Sequence, residues 1–141
     1  MLGTIFGFLL PEFFSSFGIP SPAFGQIAFF DRAGAGMISC NLPRIIDGDT
    51  MDCAGVRIRL ASIDAPEMPG HCRAGRICTP GDPYAARNYL SFLTRGSVEC
   101  RPIATDVYGR TVASCSAAGR DLSCTMIEAG RAVRRYGWLS C

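Results

Sequence analysis

This sequence has no lysine. All fourteen basic residues are arginine, set against twelve carboxylates, for a formal net charge of +2. An excess that small does not by itself indicate a nucleic-acid partner. Arginine presents a planar fork suited to phosphate, but exclusive arginine usage is equally a habit of composition, and composition takes the larger share of the explanation. Histidine is almost as scarce. With His71 alone, and no Cys-x-x-Cys pair among the eight cysteines, the chain lacks the ligand spacing of a zinc site. His71 stands among turn residues, where a solvated side chain is the ordinary outcome, and no role is assigned to it. Also missing is an apolar run long enough to span a bilayer. The stretch from Met1 to Leu10 is too short, and Pro11, Glu12, Gly18, Pro20 and Pro22 interrupt its continuation. No internal repeat and no low-complexity tract occur, and 141 residues correspond to one domain.

What is present divides into two kinds of sequence. Residues 1–30 hold eight of the nine phenylalanines, no basic residue and one acid, Glu12. They read as a targeting or anchoring segment, although the positively charged start of a standard signal peptide is missing. Small residues suited to cleavage stand at Ala33-Gly34-Ala35. Cleavage there would leave 13 arginines against 10 carboxylates, a net charge of +3. The preferred reading of residues 1–35 is an atypical or mis-started export signal, with an uncleaved membrane-associated tail and a disordered leader as alternatives. Residues 36–141 are then the working domain. The cysteines, at 40, 53, 72, 78, 100, 115, 124 and 141, form an even set that implies disulfides, hence a periplasmic or secreted protein.

Within residues 36–141 the first strand signal runs from Met37 to Ile46 and feeds into the turn dipeptide Asp47-Gly48. Thr50 to Asp52 follows, then Cys53-Ala54-Gly55, then Val56 to Ala61 with the alternation of a half-buried strand, so that Val56, Ile58 and Leu60 are expected to face the core. A three-residue loop ending in Gly55 pairs Asp52 with Val56 and sets Asp49 opposite Arg59, whereas a two-residue Ala54-Gly55 turn would break that pairing. Residues 68–81 form a loop rich in Pro and Gly. Asp82 and Pro83 open a helix running to about Thr94, with Tyr84, Tyr89 and Phe92 expected in the core. Ser97 to Arg101 and Thr111 to Ala117 are further strands, and Asp121 caps a second helix ending at Gly130. Five short strands with a helix after the third predict an α+β fold: a five-stranded Greek-key barrel of the oligonucleotide-binding (OB) type with two or more helices, stapled by disulfides. Proximity pairs Cys40 with Cys53, Cys72 with Cys78 and Cys100 with Cys115; elimination then pairs Cys124 with Cys141.

Asp47, Asp49, Asp64 and Glu67 are carboxylates at strand ends and turns with no histidine or thiolate to join them. Oxygen-only ligation selects hard cations, so calcium, magnesium or manganese is implied. Asp-Gly-Asp alone is weak, since turns are rich in both residues for backbone reasons. Arg59 across the hairpin, and Arg110 two positions after an aromatic residue, change its meaning. A metal flanked by two arginines suits a phosphoryl transition state, and a carboxylate beside it, for which Glu67 is the candidate, suits activation of a water. Strict alternation sets Asp64 on the opposite face from Arg59, so convergence requires a bend near Ser62 and Ile63.

Ile46-Asp47-Gly48-Asp49-Thr50, then Arg59-Leu60-Ala61-Ser62-Ile63-Asp64-Ala65-Pro66-Glu67, then Asp106-Val107-Tyr108-Gly109-Arg110, and the Gly119 turn with its following helix together resemble the thermonuclease family, the staphylococcal-nuclease-like enzymes, over roughly residues 40–138. The resemblance implies a calcium-dependent phosphodiesterase that cuts DNA or RNA to leave 3′-phosphate ends. It implies that Asp49, Asp64 and the carbonyl of Ala65 ligate calcium, although family members often carry threonine where this chain has Ala65. It further implies that Glu67 activates water, that Arg59 and Arg110 grip the phosphate, and that Tyr108, Tyr136 and Trp138 surround the nucleotide. Val107 stands where a lysine contacts phosphate in the best-known member. No protein partner is implied, and a monomer is expected. The rival reading is a catalytically silent nucleic-acid-binding module on the same barrel, whose mark would be a degraded acidic set.

Overall fold

The computed structural model describes residues 36–141; the expectations of export and membrane association placed on residues 1–35 lie outside the described residues. The element order is β1 (Ile38–Asn41), β2 (Arg44–Ile45), β3 (Thr50–Cys53), β4 (Val56–Leu60), β5 (Ile63–Asp64), α1 (Pro83–Leu93), β6 (Ser97–Thr105), β7 (Thr111–Ala117), β8 (Arg120–Asp121), α2 (Leu122–Glu128) and β9 (Val133–Arg134). The main sheet runs β1-β6-β7-β4-β3-β2 with β8 beside β7, while β5 and β9 pair separately. β4 and β7 are parallel, so the sheet is mixed.

That sheet is rolled. β1 and β3 stand four places apart in the strand order, which in a flat sheet would separate them by about 19 Å. Yet Cys40 and Cys53 are joined, with Cα atoms 5.8 Å apart. The result is a half-barrel with two helices, built from nine short strands among the described residues where five were expected. The first expected strand, Met37–Ile46, is cut in two because Leu42 turns into the left-handed region (φ 49°), with its N–H on Gly96 O at 3.2 Å, and Pro43 has no N–H to offer a ladder. β6 runs four residues past its expected end and contains Pro102. A proline is tolerated there because pairing with β1 stops at Cys100 and a bulge follows between Pro102 and Ala104.

The hairpin register differs from the expected one. Cys53 pairs with Val56, and Thr50, not Asp49, lies opposite Arg59. The loop is the two-residue Ala54-Gly55 turn, both residues at positive φ (51° and 92°), the handedness that matches the twist of the flanking strands. Val56, expected in the core, is 41% exposed at the hairpin end of β4, while Ile58 and Leu60 on the same face are fully buried as expected.

Both helices start as their caps predict. The Asp82 carboxylate accepts from the N–H groups of Tyr84 (2.9 Å) and Ala85 (3.1 Å), and that of Asp121 accepts from Cys124 N–H at 2.8 Å. α1 buries Ala86 and Leu90, whereas Tyr84 and Phe92, expected in the core, are exposed. Small and aliphatic residues let the helix lie close to the sheet, and the wider aromatic rings stay at its margins. Met51, Ile58, Leu60, Ile63, Leu90, Val98, Leu122 and Met126 fill the core. All four expected disulfides are formed: Cys40–Cys53, Cys72–Cys78, Cys100–Cys115 and Cys124–Cys141.

Candidate active site

Asp49 is delivered by the connection between β2 and β3. Thr50 O accepts from both Ile46 N–H (2.9 Å) and Asp47 N–H (3.3 Å), and the Asp47 carboxylate accepts from Asp49 N–H at 3.0 Å. The middle of this loop must be glycine. A Cβ on Gly48 would lie 2.7 Å from the Cβ atoms of both Ala65 and Ala86, so the loop is clamped between the Asp64-Ala65 segment and α1. Asp49 is 6% exposed; its oxygens accept from Thr50 Oγ1 at 2.9 Å and from the Ala65 N–H at 2.9 Å. Burial, with the charge of Asp47 added, pushes its pKa up to about 6 although Arg59 pulls the other way.

Arg59 joins Asp49 to Asp64. Its Nη2 lies 3.5 Å from Asp49 Oδ2 and 3.1 Å from Asp64 Oδ1, and the three side chains are all nearly buried. The contact with Asp49 survives the altered register because Asp49 lies in the turn just before β3, where strand alternation does not fix the direction of its side chain. The contact with Asp64 needs the bend expected near Ser62, and Ser62 is indeed in the left-handed region with φ 63°. Ser62 then anchors the C-terminal segment: its carbonyl accepts from Arg135 N–H (3.0 Å), and its hydroxyl donates to Trp138 O (3.1 Å).

Asp64, 1% exposed, is the most heavily partnered acid. Besides Arg59 it receives Arg76 Nη2 (2.9 Å) on Oδ1, and Thr79 Oγ1 (2.7 Å) and Arg135 Nη1 (3.2 Å) on Oδ2. Arg76 also lies 3.0 Å from Glu67 Oε1 through Nη1 and donates to the Tyr136 hydroxyl at 3.1 Å. Partial burial of Arg76 would lower its pKa, but Asp64, Tyr136 and Glu67 outweigh that and hold it firmly charged. The Tyr136 ring covers Arg59, with 5.1 Å from guanidinium carbon to centroid. Tyr136 itself has a positive φ of 63°, an uncommon conformation for a bulky residue, held where its ring meets these arginines.

Arg110 stands across the groove. Its Nε donates to Asp106 Oδ2 at 2.7 Å, and its guanidinium lies 5.3 Å from the Tyr108 ring. Burial would raise the Asp106 pKa, but the N–H groups of Arg110 and Tyr108 and the Arg110 guanidinium hold it below the usual carboxylate range. The parallel pairing of β4 with β7, which sets Arg59 beside Val112, brings Arg110 to the same face. A groove of about 760 Å³ has Asp49, Arg59, Glu67, Arg76 and Arg110 on its walls, with Tyr108, Tyr136, Val107 and Trp138 at its rim. Val107 and Trp138 are 92% and 89% exposed.

Seven of the nine residues expected at the site line this groove; Asp64 lies behind it on Arg59, and Ala65 contributes its N–H to Asp49. The donor atoms, being oxygens only, are of the kind that suit a hard divalent cation. Among the described residues, however, no three acidic side chains converge, and guanidiniums supply the positive charge at Asp64. A cation at Asp64 therefore requires a guanidinium to move.

Residues 57–138, more than half of the chain, match the family described as staphylococcal nuclease homologue. The chain belongs to the staphylococcal nuclease family. It is also 36% identical over 108 residues to the succinoglycan biosynthesis protein ExoI of Rhizobium meliloti (strain 1021), a match covering 73% of this chain and 56% of that protein. The chain thus spans little more than half the length of that curated relative. Members of the staphylococcal nuclease family are generally nucleases that use calcium.

Sequence reasoning missed Arg76, Arg135, Thr79 and Arg73 in this staphylococcal nuclease fold. Arg73 Nη1 donates to the Tyr108 hydroxyl at 2.6 Å and so ties the loop after β5 to the opposite rim. A usable signal existed for two of them: Arg73 and Arg76 lie between Cys72 and Cys78, so a six-residue disulfide separation restricts where they can point. Thr79 and Arg135 carried no such signal.

Proposed function

We propose that this protein is a calcium-dependent phosphodiesterase that hydrolyses DNA or RNA to products with 3′-phosphate ends. One observation carries the reading: Arg59, Arg110 and Glu67 line a single groove above the buried carboxylates Asp49 and Asp64. Asp49, Asp64 and the carbonyl of Ala65 would hold calcium, which supplies Lewis-acid stabilisation of charge on the phosphoryl oxygens. Tyr108, Tyr136 and Trp138 offer ring faces and edges to the bases flanking the scissile phosphate, a mode of contact that tolerates any sequence. Arg59 and Arg110 approach that phosphate from two sides and donate to its non-bridging oxygens, most strongly as charge builds in the transition state. Glu67 accepts a proton from the attacking water as the new bond to phosphorus forms. The bond from phosphorus to the 5′ oxygen breaks, that oxygen takes a proton from solvent water to leave as a hydroxyl, and the phosphate stays on the 3′ side. The fixed partners of each arginine, Asp49 and Asp64 for Arg59 and Asp106 for Arg110, keep the two guanidiniums oriented before substrate arrives.

The four disulfides fit an oxidising compartment, and we place the protein in the periplasm or outside the cell, acting as a monomer. Protein made in an oxidising host and incubated with plasmid DNA and with RNA should cut both in calcium and neither in chelator, leaving ends that need phosphatase treatment before polymerase extension. Binding of single-stranded oligonucleotide with no cutting in any divalent cation would instead establish the silent binding module.

A further inference from the structure

The loop between β5 and α1 contains a cation that the proposed chemistry does not use. Arg76 bridges Asp64 (2.9 Å) and Glu67 (3.0 Å), and it is the residue through which these two acids are connected. The other guanidiniums on Asp64 are anchored outside the acids as well: Arg59 donates to Leu60 O (3.4 Å) and Arg135 to Ile77 O (3.0 Å). Every partner of the Arg76 side chain belongs to the site: Asp64, Glu67 and the Tyr136 hydroxyl. Its Nε is buried with no acceptor, a desolvation penalty that swinging outward would relieve. At 30% side-chain exposure it has solvent to swing into. Its backbone is restrained by the Cys72–Cys78 bridge and by the turn bond from Arg76 N–H to Arg73 O at 3.2 Å.

We propose that Arg76, presented by the disulfide-closed loop, is a built-in competitor for the divalent cation: it neutralises Asp64 and Glu67 until the cation displaces it, and so sets the affinity of the site. This rests on the calcium-binding reading above. Displacement also frees Glu67 from its ion pair, so arrival of the cation and release of the water-activating carboxylate become one event.

Calorimetric titration of the full chain with calcium chloride tests this. Arg76→Gln should bind calcium about tenfold more tightly than wild type, the scale of two partly exposed ion pairs no longer holding the competing state. Arg76→Lys, which keeps the charge but not the fork, should fall between them. Arg73→Gln removes a charge from the same loop without touching either acid and should change affinity less than about twofold. If wild type binds calcium and Arg76→Gln binds no more tightly, or if Arg73→Gln matches its gain, Arg76 is not the competitor and the calcium reading stands. If neither wild type nor Arg76→Gln binds calcium at millimolar concentration, the calcium reading falls and takes this one with it. Circular dichroism melts establish folding of each variant, and the Arg76→Lys arm decides the question should the glutamine variant not fold.

Discussion

The charges at this site hold one another in place, so a side chain proposed for the chemistry also supports the fold. Asp64 is the clearest case. It is 1% exposed and pairs with three guanidiniums, one of them the nearly buried Arg59. Asp64→Ala should therefore lower unfolding stability by about 3–5 kcal/mol, the penalty for leaving a buried charge uncompensated. Denaturant midpoints measured in chelator check this, and a loss under 1 kcal/mol would mean that water reaches Arg59 freely. Asp49 has the opposite sign. Its folded pKa of about 6 is above the ordinary 3.8, so between these values the native state binds more protons than the unfolded one. Its contribution to stability is thus largest in acid and is lost as pH rises through 4 to 6. In chelator, the midpoint of wild type relative to Asp49→Asn should fall across that interval, and parallel curves would show that Asp49 titrates as an ordinary aspartate. Glu67 is half free of such duties, with a single ion-pair partner. Glu67→Gln should fold normally, keep its oligonucleotide affinity and lose about 10²-fold in turnover, as expected for a missing general base.

At the scale of elements, the site depends on how closely α1 and the hairpin loop approach. Gly48 separates the Asp47–Asp49 loop from Ala86 of α1 and from Ala65, and a methyl group there would meet both at 2.7 Å. Gly48→Ala should cost about 1–3 kcal/mol through overpacking and should weaken calcium binding more than a surface substitution of equal cost, since relief requires Asp49 to shift. Calorimetry on the variant, beside one such surface control, separates the two effects. The strand pattern, by contrast, was only partly legible in the sequence. The alternation of Val56 to Leu60 marked the strand and the inward residues Ile58 and Leu60 correctly, but the pairing register depended on loop length, and Ala54-Gly55 closes the hairpin in two residues because Ala54 accepts a positive φ of 51°. A non-glycine residue in that region carries no sequence signal strong enough to choose between the two turns.

For the whole molecule, the core among the described residues is built from Met51 to Ala132 and closed by four disulfides. We therefore expect a chain beginning at Gly36 to fold and to cut like the full-length protein; an expanded hydrodynamic radius or lost near-ultraviolet dichroism in that chain would show that residues 1–35 complete the core.

The sequence by itself determined the disulfides, the two capped helices, and a spacing of acids and arginines that belongs to the staphylococcal nuclease family. Those properties are local, since a side chain's donors, a cap or a turn residue act within a few positions of the chain. Only the tertiary structure decided that the sheet rolls and contains a parallel pair, that Arg59 reaches Asp64 through the left-handed turn at Ser62, and that Arg76 and Arg135 close on the same carboxylate from loops 12 and 71 residues away. Those contacts form because a buried carboxylate takes whatever cations the folded chain brings within reach, and that reach is a property of the assembled fold.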